Sequence, residues 1–148
     1  MAYTNALTAY RETKIKTASQ GQLIIMLYDE AIKSLNSGIE LVELNVKEKK
    51  DPGRIEKINK AVSKTQEIVT ELTVSLDLDQ GGEIAKNLFS LYSWFNQELF
   101  EGNIRQDLNR LTTVRNMISE LRSAWNEIIA RNASESVGKA VSGINIAG

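Results

Sequence analysis

Apolar residues recur along this chain at alternating steps of three and four, in four separate runs. The first run is Ile25, Tyr28, Ile32, Leu35, Ile39, Val42 and Val46. Such steps return a side chain to the same face of an α-helix, so the run predicts a helix over about residues 20–47. Ser19 suits its N-cap, and Gln22, three residues on, completes a capping box. Residues 48–53 break the pattern, with Asp51 placed as an N-cap and Pro52 at the first helical position, where its missing N–H costs nothing.

The second run is Ile55, Ile58, Val62, Thr65, Val69, Leu72 and Leu76, with Thr65 its single polar member. Gly81 and Gly82 then mark a turn. The third run is Ala85, Leu88, Tyr92, Phe95 and Leu99, in a helix expected over about residues 83–101 and ended by Gly102. The fourth is Leu111, Val114, Ile118, Leu121, Trp125 and Ile128, in a helix over about residues 106–131. Short connections make sequence neighbours antiparallel. The prediction is therefore all-α: an up-down-up-down four-helix bundle over residues 19–132, with a mobile N-terminal arm at 1–18. Residues 133–148 carry three glycines among small and polar residues and read as a disordered tail.

Two helices carry more apolar surface than one stripe requires. On the first, Leu23, Ile24 and Leu27 fall off the stripe. Two readings stay open: a second core face against another helix of the chain, or a surface covered by the N-terminal segment or a partner. On the third helix, Ile84, Phe89, Leu91, Trp94 and Phe100 lie off the stripe. In the arm, Leu7 and Tyr10 sit three apart and share one face of a helical turn. Tyr28 and Tyr92 read as amphipathic packing residues whose hydroxyls reach the surface.

Composition removes most chemistry. The chain has no histidine and no cysteine, so the commonest general base, the strongest nucleophile and a Glu-x-x-His di-iron site are all absent. The core-facing stripes contain no carboxylate, and Gly81-Gly82 lacks the Lys-Ser or Lys-Thr of a phosphate loop. The expectation is no enzyme and no cofactor. Eighteen basic residues against nineteen acidic ones give a net charge of −1, scattered rather than blocked, which argues against nucleic acid. No apolar run is long enough to insert in a membrane, and the first residues do not read as a signal peptide.

Three blocks resemble the flagellar secretion chaperone family, FliS. The first is Ala9-Tyr10-Arg11, then Thr17-Ala18-Ser19 and residues 23–29, Leu-Ile-Ile-Met-Leu-Tyr-Asp. The second is Leu76-Asp77, Gly81-Gly82-Glu83-Ile84-Ala85-Lys86-Asn87-Leu88 and Leu91-Tyr92; the third is Leu121-Arg122 with Ala124-Trp125. The chain departs from the family pattern at Gln20-Gly21, Glu30 and Ser93-Trp94-Phe95. The resemblance implies a bundle in the bacterial cytosol that binds the disordered C-terminal segment of flagellin. It implies delivery to the flagellar type III export gate, with Leu7 and Tyr10 at the positions tied to gate docking. Joined to the apolar surplus, it makes Leu7, Tyr10, Leu23, Ile24, Leu27, Ile84, Leu91 and Trp94 the expected partner-binding residues. The arm is expected to fold back over Leu23, Ile24 and Leu27 until client displaces it. The alternative is a helical module that self-associates as a homodimer or binds another helical protein.

Overall fold

The computed structural model of the chain describes residues 20–147, with side chains for residues 20–132. The described residues form α1 (Gln20–Lys47), α2 (Pro52–Val74), α3 (Gly82–Arg105) and α4 (Leu108–Ala147). α1 and α3 each pack on both α2 and α4. The helices thus stand at the corners of a square, each antiparallel to the next in sequence, as the sequence pattern predicts. The expected arm, with Leu7 and Tyr10, lies outside the described residues.

The turns follow from local chemistry. Asp51 is extended (φ −120°, ψ 122°) and its Oδ1 accepts from the Gly53 N–H at 3.0 Å, capping α2 as expected. Between α2 and α3, Asp77 Oδ1 accepts from the N–H groups of Asp79 and Gln80 at 3.2 and 3.0 Å. The turn closes so tightly that a Cβ on Gly81 would stand 2.5 Å from the Ala85 Cβ. Gly82 follows at φ +57°, where a side chain is strained.

The end of α3 corrects the sequence reading. Gly102 does not terminate the helix, which runs on to Arg105. Gln106 takes the left-handed position (φ 52°, ψ 45°), and the Asp107 N–H reaches the Gly102 carbonyl at 2.9 Å, a Schellman closure. Gly102 is instead a buried point of close approach, because Leu111 of α4 fills the place of its missing side chain. Asp107 then opens α4, its Oδ1 accepting from the Arg110 N–H at 3.3 Å.

The core follows the predicted stripes in its middle and departs from them at the ends. Leu35, Ile39, Val62, Phe95, Leu99, Val114 and Ile118 are buried as expected. Val46 and Ile55, also expected inside, are exposed near helix ends, and Ile128 is exposed half-way along α4. Leu27 belongs to the core and Ile24 packs against it. α1 lies between two neighbours, α2 and α4, so its buried arc is wider than one stripe. Of the two readings for these positions, a second core face holds for Leu27.

α4 also outruns its prediction. Its backbone continues as helix for 40 residues, through most of the segment expected as a disordered tail. That segment has no proline, and its glycines cost only about 1 kcal/mol each in a helix. At about 1.5 Å per residue α4 spans roughly 60 Å, well beyond the length of α3.

Candidate partner-binding surface

α3 is anchored across the diagonal of the bundle. The hydroxyls of Tyr28 on α1 and Tyr92 on α3 lie 2.5 Å apart, inside the protein. Their residues are 0% and 2% exposed. This overturns the expectation that the two hydroxyls reach the surface: each is satisfied by the other rather than by water. Burial is the main cause that raises both phenols above their ordinary pKa, and at Tyr28 a hydrogen bond from the Trp125 indole pulls the other way.

Polar links set which side of α3 faces which neighbour. Asn96 and Asn103 mark the α2 flank. Asn96 Nδ2 donates to Thr70 Oγ1 at 3.3 Å, the main-chain carbonyl of Asn96 accepts from Gln66 Nε2 at 3.2 Å, and Asn103 Nδ2 donates to Asn59 Oδ1 at 2.7 Å. Glu98 marks the α4 flank, paired with Arg110 at 2.5 Å. On the far side of α4, Arg122 grips Asp29 and Arg115 Nη1 donates to Asn36 Oδ1 at 3.2 Å, tying α4 to α1.

Helical spacing then sorts the apolar residues of α3 into two flanks. Trp94, Leu91 and Ile84 lie four, seven and fourteen residues before Glu98, so they share the α4 flank. Phe89 lies seven before Asn96, and Phe100 and Ile104 lie four and eight after it, so they share the α2 flank. Ile84 is 73% exposed, Ile104 63% and Phe100 55%. Trp94 and Phe89 are also exposed, while Leu91 is half-buried against the core. At the α2–α3 connection Val74 and Leu78 add exposed apolar surface.

The sequence-derived candidates therefore divide. Ile84, Leu91 and Trp94 come together on one flank of α3. Leu23 and Leu27 are each 4% exposed, buried at the start of α1. Ile24 is half-buried against the core. Leu7 and Tyr10 lie outside the described residues. Phe100 and Phe89 show in the sequence as off-stripe residues, yet their flank is not separable from that of Trp94 without the Asn96–Thr70 link. Ile104 falls beyond the helix end that Gly102 suggests, and Val74 and Leu78 carry no periodic signal.

Among the described residues no group of three His, Cys, Asp or Glu is placed to hold a metal ion, and no helix is long and apolar enough to cross a membrane. An antiparallel bundle whose third helix bares apolar residues on both flanks has the kind of surface that takes an amphipathic partner helix. The sequence model of the family described as flagellar protein FliS matches residues 3–132. The chain is 33% identical to the flagellar secretion chaperone FliS of Salmonella typhimurium over 118 residues, 79% of this chain and 82% of that one. It is 28% identical to the flagellar secretion chaperone FliS of Bacillus subtilis over 129 residues, 87% of this chain and 90% of that one. The chain belongs to the FliS family.

Proposed function

We propose that this chain is an export chaperone of the bacterial cytosol. It binds the disordered C-terminal segment of flagellin, keeps subunits from polymerising early and delivers them to the flagellar type III export gate. The single observation that carries the reading is the apolar exposure on both flanks of α3, at Ile84 and Trp94 on one side and Phe100 and Ile104 on the other. The names of the relatives support it, since each is called a flagellar secretion chaperone.

The energetics favour an extended, wrapping client. Ordering a disordered segment costs about 1–2 kcal/mol per residue in backbone entropy. Each large apolar side chain buried contributes roughly 1.5–3 kcal/mol. An amphipathic client helix on each flank of α3 buries several such side chains from both partners, and the bound state survives the ordering cost. Ile84, Leu91, Trp94, Phe89, Phe100 and Ile104 are its expected contacts. Leu7 and Tyr10 are assigned to the arm and to gate docking. No catalytic residue or cofactor enters this role.

A seeded polymerisation assay tests the reading. A molar excess of the chain holds flagellin monomeric, and an Ile84→Ser/Phe100→Ser variant does not. Unimpeded growth with the wild-type chain present would count against it. A second reading rests on the same bare flanks: they are the face of a homodimer. Sedimentation over a concentration series separates the two, a constant monomer favouring the client and a tight dimer favouring self-association.

A further inference from the structure

The core of this bundle is apolar but for a few groups, and one polar contact in it has no structural necessity. Tyr28 and Tyr92 meet hydroxyl to hydroxyl at 2.5 Å, from helices that are not packing neighbours. Two phenylalanines would fill the same space without the need to match a donor to an acceptor, leaving only the indole N–H of the partly buried Trp125, which donates to Tyr28, to find another partner. Replacing both partners of a buried hydrogen bond by apolar groups of the same shape is close to neutral in stability, whereas removing one leaves its mate unsatisfied. What a hydrogen bond adds over apolar packing is directional geometry: rings slide past one another at little cost, and hydroxyls do not.

The place of the bond on α3 gives that geometry a use. Tyr92 lies in the middle of the buried stripe, between Ala85 and Leu99. One residue before it stands Leu91 and two after it Trp94, both on the α4 flank; three before it stands Phe89, on the α2 flank. A rotation or axial slip of α3 that broke the Tyr28–Tyr92 contact would carry both apolar flanks with it. The Asn96–Thr70, Asn103–Asn59 and Glu98–Arg110 links hold the same helix from its sides, but all three lie toward its C-terminal half. The tyrosine pair is the polar tie nearest to Ile84, Phe89 and Leu91.

We propose that the Tyr28–Tyr92 hydroxyl pair is a positioning device, which fixes the rotation and height of α3 and so presents its two flanks at the spacing the client needs. The proposal rests on the client-binding reading above for its functional half only. It assigns Tyr28 and Tyr92 no contact with client. The pair acts through α3, and its contribution is to specificity of shape rather than to overall stability.

The test compares the full-length chain with Tyr28→Phe, Tyr92→Phe and the double variant. Three quantities are measured: thermal unfolding, hydrogen exchange of the α3 amides in the free protein, and calorimetric titration with flagellin. The expected result is a double variant that melts within a few degrees of wild type, yet exchanges faster along the first half of α3 and binds flagellin at least tenfold more weakly. The single variants melt lower than the double. The proposal is overturned if the double variant keeps both the wild-type exchange pattern and the wild-type affinity, since the pair is then packing alone. It is equally overturned if affinity simply follows melting temperature across all three variants. Should wild type itself not bind flagellin, the client reading fails while the exchange data still decide whether the pair fixes α3.

Discussion

A methyl group on Gly102 would stand 2.7 Å from Cδ2 of Leu111. The two residues belong to adjacent helices, and their contact sets how closely α3 and α4 approach next to the two-residue connection between them. Gly102→Ala gains up to about 1 kcal/mol of helix propensity. It also drives a fully buried leucine out of place, a type of overpacking that costs about 1–3 kcal/mol. With the full propensity gain set against it, the expected net is a loss of up to about 2 kcal/mol by urea denaturation. Gly38→Ala is the control: its Cβ would lie 3.4 Å from the Ala61 Cβ, an ordinary contact, so that variant is neutral or more stable by up to about 1 kcal/mol.

The Asp51 cap offers a purely local check. Its carboxylate accepts from the Gly53 N–H at 3.0 Å on an exposed corner. Asp51→Ala loses about 0.5–2 kcal/mol of stability. A variant with an unchanged urea midpoint would show that Pro52 alone starts α2.

The buried tyrosine pair gives the stability a pH dependence of definite sign. A tyrosine in the unfolded chain ionises near pH ~10. Burial raises both Tyr28 and Tyr92 above that value in the folded protein. Below pH ~10 both states hold their phenolic protons and the pair adds no slope. Above it the unfolded chain holds fewer protons than the folded one, so stability falls as pH rises. Urea midpoints measured across the alkaline range are expected to drop, and the Tyr28→Phe/Tyr92→Phe variant to drop less steeply. Equal slopes for the two proteins would contradict the assigned burial.

Surface residues of α3 and a core residue of α1 separate by what they do to binding and to stability. Ile84 and Phe100 are well exposed, so Ile84→Ser and Phe100→Ser each change stability by no more than about 0.5 kcal/mol. Each is expected to weaken flagellin binding about tenfold or more. Leu27→Ala, by contrast, removes a side chain from the core and costs about 2–5 kcal/mol. Thermal melts and titrations on the three variants check the division.

Much of this architecture is legible from local signals. The Asp51-Pro52 start of α2, the glycine pair before α3 and the three-four stripes each state their structure within a few residues. What is not legible depends on partners far along the chain. Gly102 looks the same as a helix terminator and as a point of close approach until Leu111 is placed beside it. Leu27 looks surplus until α1 is known to lie between two helices. The Tyr28 hydroxyl finds its mate 64 residues away, and no pattern within α1 or α3 announces it. The apolar surplus of the third helix is legible, but its division into two flanks waits on the Asn96 and Glu98 links. The length of α4 was masked by its glycines, whose cost of about 1 kcal/mol each is small enough for a long helix to absorb.

The most direct test of the central claim is calorimetric titration of the full chain with flagellin, intact and lacking its last ~50 residues, a length sized by the multi-helix wrapping expected of a disordered client. The account predicts tight binding only when the C-terminal segment is present, with a large negative heat-capacity change that reports apolar burial on the flanks of α3. Equal binding of both flagellins, or binding without that heat-capacity change, would contradict it.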